Sequence, residues 1–274
     1  MAIGGETMAY EAIIFERSEG VGIVTLNRPE TRNALDVQMR QEIADVVTTL
    51  REDAEIKSVL LIGANGVFCS GGDLRFMAEG RRSSGQNRRR IRDLHVWLPE
   101  LVNLEKPVVA AVDGPAFGGG FNLALVADFI LATPRARFCQ VFARVGMVPD
   151  LAGMYLLPRI VGLQRAKDLV FTARVLGAEE AKAMGIVYDI IPAETLRDDA
   201  LAFARRFCSA PTMAIGLAKN ILNQSHNLDQ RAMAELESYA QAICQDSDGH
   251  RDAVARFLRK EPLPFVWEEL AKKK

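Results

Sequence analysis

The 274-residue sequence predicts an α/β fold of stacked strand–strand–helix turns that ends in a purely helical region. Two glycine-rich turns, each where a short apolar strand gives way to a helix, carry the first half of that prediction. The loss of strand signals after about residue 193 carries the second half. The clearer turn lies in residues 107–132, PVVAAVDGPAFGGGFNLALVADFILA. Its valine-rich start, 108–112, is too short for a helix and reads as a buried strand. Gly114-Pro115 and the triplet Gly118, Gly119, Gly120 break the run, an apolar helix over about 121–127 follows, and 129–132 is a second buried strand. Glycines at such a turn let a ligand approach bare backbone and aim amide N–H groups at it. That suits an anion, or an oxygen that becomes one during reaction.

The remaining elements follow in order. Residues 12–16 and 22–26 are β-branched runs separated by Ser18-Glu19-Gly20, a hairpin pattern. Asp36 caps a helix to about Glu52, with Ile43, Val46, Val47 and Leu50 on one face. Residues 58–62 form a strand, followed by the second glycine turn, Phe68-Cys69-Ser70-Gly71-Gly72-Asp73-Leu74, where Asp73 is placed to cap a helix. From Gly71 to Gly119 is about 48 residues, a weak repeat of strand, glycine turn and helix. Residues 75–92, polar and basic with six arginines from position 81 on (Arg81, Arg82, Arg88, Arg89, Arg90, Arg92), read as a mobile loop or frayed helix, and helical spacing resumes at Ile91 with an interruption at Pro99. Beyond 138–142 come a loop at 146–150, helices near 164–171 and 178–184 ending at Gly185, and a last strand over 186–191. The pattern is then helical only, with apolar faces that predict packing against another subunit.

Composition narrows the classes. Hydrophobic residues make up 49% and charged residues 25%, and 34 cations against 35 anions leave no global field to attract nucleic acid. Four scattered cysteines (Cys69, Cys139, Cys208, Cys244) read as reduced core residues, and three histidines without ligand spacing argue against a metal. No basic, apolar leader or membrane-length apolar run is present, so a cytoplasmic protein without membrane association is expected.

With both glycine turns in view, the chain resembles the crotonase superfamily, the enoyl-CoA hydratases and isomerases. The resemblance rests on LNRPETRNAL (26–35), GVFCSGGDL (66–74), KPVVAAVDGPAFGGG (106–120), VADFILAT (126–133) and GMVPDLAGMYLLPRIVG (146–162), with GLAKNIL (216–222) and FLRKEPLPF (257–265) extending it to the end. It implies a spiral of β-β-α turns over residues 1–193 and a helical trimerisation region over 194–274, assembled as a homotrimer or dimer of trimers. It also implies an acyl-CoA thioester substrate, with CoA as part of that substrate and no tightly bound cofactor. The shared chemistry is a thioester enolate held by two backbone amides, which by position match Gly72 and Gly119. Ser70, Gly71, Asp73 and Leu74 would line the CoA path, and Arg28, Arg75 and a neighbouring subunit's Lys260 are candidates for its phosphates.

Hydratases of this family resemble one another in carrying two glutamates, and here those positions hold Asn122 and Phe142. Adding water needs one group to activate it and another to deliver a proton, and neither of these side chains does so. Asp150, in MVPDLAGMYLLPR, matches the acid/base of the family's double-bond and ring-oxepin isomerases. An isomerase needs that one carboxylate to take a proton from C2 and return it at C4, with Phe142 as pocket wall. Pro-Asp ahead of a helix is equally an N-cap pattern. Asn122 is expected to donate a hydrogen bond into the pocket. His95 falls where the family's aryl-CoA dehalogenases keep a water-activating histidine, although their tryptophan and phenylalanine are replaced here by Phe142 and Gly72. Hydration, dehalogenation and a non-catalytic RNA- or protein-binding role for the arginine segment are the alternatives to isomerisation.

Overall fold

The computed structural model describes residues 10–73, 75, 78, 80 and 82–272. Strands β1 (Ile13–Ser18) and β2 (Val21–Leu26) form an antiparallel hairpin through the Glu19-Gly20 turn, as their apolar, β-branched runs predict. β2 then begins a parallel series with β3 (Ser58–Gly63), β4 (Val108–Val112), β6 (Phe129–Ala132) and β9 (Asp189–Ile190). The resulting six-stranded sheet has the order β1-β2-β3-β4-β6-β9. A smaller sheet, absent from the sequence reading, orders β5 (Pro115–Phe117), β7 (Arg137–Cys139) and β8 (Leu176–Gly177). Each turn of the chain places one strand in the large sheet and one beside the small sheet, then a helix. β4, β5 and the helix Gly119–Leu125 make one turn, and β6, β7 and the helix Gly153–Val161 make the next. Cys69 completes the turn before them through a parallel bridge to Ala116.

The parallel strands read as unbroken apolar runs because both faces are covered. Val24, Val59, Leu61, Ala110, Val112 and Ile130 face a core closed by the helix Val37–Glu52 and its neighbours. Their alternates Ile23, Leu60, Val109, Ala111 and Leu131 pack on Leu196, Ala200, Phe203 and Ala204 of the helix Leu196–Arg205 and on Phe207. That helix opens the C-terminal helical region, which continues through Thr212–Gln224, Gln230–Gln245, Asp248–Arg259 and Trp267–Lys272. Among the described residues no helix is long and apolar enough to cross a membrane.

Several expected elements differ. Residues 84–92 are neither loop nor frayed end. The helix Ser84–Val102 starts there on a capping box, in which Ser83 Oγ accepts from Gln86 N and Gln86 Oε1 accepts from Ser83 N. Arg81 lies outside the described residues, as do Lys273 and Lys274. The same helix passes through Pro99 without a break and ends on Asn103, whose Nδ2 donates to Pro99 O at 2.9 Å. The helix predicted at 121–127 begins at the glycines themselves, and the last strand shrinks to Asp189–Ile190. Gly185 does end its helix, with a φ of 81°.

Candidate active site

The two glycine turns meet. Leu35 pairs with Gly72 in a parallel bridge, and Phe117 N donates to Cys69 O at 2.9 Å, so the first turn is laced to the start of the second. Gly118, at φ 52° and ψ −121°, holds a conformation that disfavours any side chain, and it turns β5 into the helix Gly119–Leu125. Gly119 is the first residue of that helix, where an N–H has no intrahelical acceptor. Among the described residues neither the Gly72 nor the Gly119 amide is paired with a backbone carbonyl. Both glycines line a cavity of about 1150 Å³.

Asp150 lines the same cavity. A Cβ built on Gly119 would stand 3.9 Å from Asp150 Oδ1, so the carboxylate faces the second turn directly. The helix after Asp150 begins at Gly153, with Ala152 at its boundary and no side-chain cap, so the N-cap alternative does not hold. Leu151 and Ala152, both at positive φ, fold the chain so that Gly153 N donates to the main-chain oxygen of Asp150 at 2.8 Å and the side chain is left to the cavity. Oδ1 is buried and makes no hydrogen bond among the described residues. Burial raises the carboxyl's pKa above its ordinary value; its own backbone amide and the charges of Arg40, Arg90 and His95 oppose that rise.

The structure corrects the expectation for Asn122. It is fully buried, it does not line the cavity, and its Nδ2 donates to Asp150 O at 2.8 Å while its Oδ1 accepts from Gln140 Nε2 at 2.7 Å. It holds the Asp150 backbone and donates nothing into the pocket. Phe142 is buried and contributes to the cavity wall, as expected. His95 also lines the cavity, from an exposed position on the helix Ser84–Val102. Cys69 is core: its Sγ accepts from Gly71 N at 3.4 Å, and burial pushes the thiol up to about 12.

Ser70, Gly71, Asp73 and Arg75 border the same cavity, and Leu74 lies outside the described residues. Asp73 Oδ1 accepts from Arg75 N at 3.0 Å, the capping contact its position predicts. Arg28 does not reach the cavity wall. Its guanidinium donates to Ala34 O and lies 3.3 Å from Asp36 and 3.5 Å from Asp73, which fixes the loop behind the first turn. Lys260 is exposed at the end of the helix Asp248–Arg259, away from this wall. Asp128 is engaged elsewhere, accepting from Val108 N at 2.7 Å and pairing with Lys219 at 2.8 Å. The residue that sequence reasoning missed is Arg40, which lines the cavity near Asp150; a lone arginine beside the apolar face of the helix Val37–Glu52 was its only signal.

A family model for enoyl-CoA hydratase/isomerase matches residues 16–269. A crystal structure of an enoyl-CoA hydratase/isomerase from Cupriavidus metallidurans superposes with a TM-score of 0.88 at 38% identity, covering 94% of this chain and 97% of that one. The 1,2-epoxyphenylacetyl-CoA isomerase of Escherichia coli is 33% identical over 93% of this chain and 98% of its own length. The crotonyl-CoA hydratase of Syntrophomonas wolfei is also 33% identical, over 94% and 99%. A model match over nearly the whole length, with relatives and a solved structure agreeing end to end, establishes that this chain belongs to the enoyl-CoA hydratase/isomerase family of the crotonase superfamily.

Proposed function

We propose that the protein is an acyl-CoA isomerase that moves a double bond from the 3- to the 2-position of an enoyl thioester, with Asp150 as its acid/base. The observation that carries the reading is the isolation of that carboxyl. It lies beside Gly119 in the cavity, while the two positions that bear glutamates in hydratases hold a buried strut, Asn122, and an apolar wall, Phe142. The Gly72 and Gly119 amides donate to the thioester oxygen as C2 loses its proton to Asp150. Charge moves onto that oxygen, where each donor contributes about 3 kcal/mol to the transition state. The resulting dienolate takes the proton back at C4 from the same carboxyl, so no second acid is needed. Burial strengthens Asp150 as a base by raising its pKa, and its own backbone amide and the charges of Arg40, Arg90 and His95 oppose that rise. CoA enters as part of the substrate past Ser70, Gly71 and Arg75, with no separate cofactor. The exposed Leu222, Tyr239, Ile243, Phe257 and Leu258 of the later helices support burial against two further copies in a trimer.

Purified protein given a 3-enoyl-CoA should form the conjugated 2-enoyl thioester, and Asp150→Asn should lower kcat at least a hundredfold. Full activity in that variant would sink the assignment. One observation favours a second reading, hydration: His95 lines the same cavity as Asp150. Incorporation of oxygen-18 from water into product would select hydration over isomerisation.

A further inference from the structure

Asp150 Oδ1 makes no hydrogen bond among the described residues, so the place of the carboxyl depends on the main chain that carries it. That chain leads straight into the helix Gly153–Val161, and Gly153 N ties the two together through Asp150 O. Tyr155 and Arg159 stand one turn apart on this helix and meet the C-terminal helical region. Tyr155 Oη donates to Asn223 O at 3.2 Å and accepts from Asn227 Nδ2 at 3.0 Å. Arg159 lies over the Tyr155 ring, 3.5 Å from its centroid, and its Nη2 donates to Asn227 Oδ1 at 2.7 Å. Asn223 and Asn227 belong to the end of the helix Thr212–Gln224 and the turn after it. That helix is fastened along its length to residues 102–106. Gly216 packs so closely that a Cβ there would lie 2.6 Å from Glu105 Cβ. Lys219 Nζ donates to Lys106 O at 3.2 Å, and Asn223 Nδ2 reaches Val102 O and Asn103 Oδ1, both at 3.1 Å. The helix Thr212–Gln224 is therefore a post fixed to the spiral, and its end grips the helix behind Asp150.

We propose that Tyr155 is a positioning residue for Asp150, held by Asn223 and Asn227, so that the C-terminal helical region sets where the base stands. That Asp150 is the base rests on the isomerase reading; that Tyr155 holds its place does not. Asn122 anchors the Asp150 main chain from the glycine helix, and Tyr155 anchors the helix that follows. Two anchors fix a direction as well as a point. With Asn122 alone, the helix can pivot about Asp150 O and carry the carboxyl with it. A misplacement of about 1 Å between base and substrate costs about a hundredfold in rate, so a contact remote from the cavity can still govern turnover. The grip uses the Tyr155 hydroxyl as donor and acceptor together, a pairing that phenylalanine cannot make.

Amide hydrogen exchange read by mass spectrometry tests the placement without turnover. Tyr155→Phe keeps the ring beneath Arg159 and removes both hydroxyl bonds. Asn227→Ala, a change at an exposed position, removes the donor to Tyr155 and the acceptor for Arg159. In each variant the amides of residues 153–157 should exchange about tenfold faster, while those of β2, β3 and β4 keep the rates of the unaltered protein. With a thioester that the unaltered protein turns over, kcat should fall about tenfold and KM change little, because Tyr155 does not line the cavity. Unchanged exchange at 153–157 would overturn the proposal, as would faster exchange with unchanged kcat. Equal acceleration in every strand would assign the contact to general stability and overturn it too. A protein that leaves 3-enoyl-CoA unaltered would remove the isomerase reading, and the exchange rates would still decide whether Tyr155 holds the Asp150 segment.

Discussion

The two walls of the cavity are built on opposite terms. The glycine wall is backbone packed on backbone. A Cβ on Gly71 would lie 2.7 Å from Phe117 O and 3.6 Å from Gly119 N, and one on Gly120 would lie 2.4 Å from Cys69 O. The other wall is made of side chains: Arg40, Arg90, His95 and Asp150 come from three segments, and their effects on one another are electrostatic. The first wall has no room for an added atom at Gly71 or Gly120 and no charge to tune. The second has space and partial solvent access, and its chemistry depends on which charges face one another. Position is therefore fixed on one side and reactivity on the other.

The largest expected effect tests the packed wall. Gly71 combines a φ of 99° with that approach to Phe117 O, so Gly71→Ala should destabilise the fold by about 3 kcal/mol, read from urea unfolding. A loss below about 1 kcal/mol would mean that the two turns can part, and that the wall is less rigid than its contacts imply. Gly119→Ala is a finer probe. Its φ is ordinary for a helix start, and the added methyl meets the flexible ends of Leu151 and Leu35 at 3.0 and 3.3 Å. The fold should survive with a small change in unfolding midpoint while kcat falls about a hundredfold, because the methyl occupies space where the thioester oxygen must sit. Equal losses of stability and activity would merge the two roles.

The same contrast separates what the sequence reveals from what it hides. Gly72 and Gly119 were legible because a backbone site leaves its mark as glycine at strand ends, and the buried runs of β4 and β6 were legible as short unbroken apolar stretches. The capping box at Ser83 and Gln86 was present in the sequence, but the density of arginine beside it outweighed it in the reading. The helix Gly153–Val161 starts through Leu151 and Ala152 at positive φ, residues that carry no turn signal, so tertiary packing sets that geometry. The strands β5 and β7 are three residues each, shorter than any periodicity can register. Arg40 was hidden for another reason: the helix Val37–Glu52 and the Asp150 loop become neighbours only when the spiral closes.

Asn122 links the two walls, since it stands on the glycine helix and holds the backbone of Asp150. Asn122→Ala would leave Gln140 Nε2 without its partner and Asp150 O with the Gly153 amide alone, a loss of about 2 kcal/mol. It should also lower kcat while KM changes less, because the substrate does not touch Asn122. Gly153 would have to relax as well, for its Cβ position is 2.3 Å from Asn122 Oδ1 and the two are packed as a unit. A variant with unchanged kcat would show that the Asp150 loop holds its place without the strut.

The smallest effect has the opposite sign. Asp150 is a buried carboxyl whose folded pKa is raised, mainly by desolvation. The folded state therefore holds its proton more tightly than the unfolded chain does. Stability is unaffected by this group below the ordinary carboxylate range, falls as pH rises from that range through the raised folded value, and stays reduced above it. Asp150→Asn lacks the titration, so it should be more stable than the unaltered protein at neutral pH, by about 1 kcal/mol, with the gap closing as the medium is made acidic. Urea unfolding of both proteins at neutral and acid pH measures it. Parallel stabilities would mean that Arg40 and Arg90 already compensate the carboxylate in full, and the side-chain wall would then be as settled in its charges as the glycine wall is in its packing.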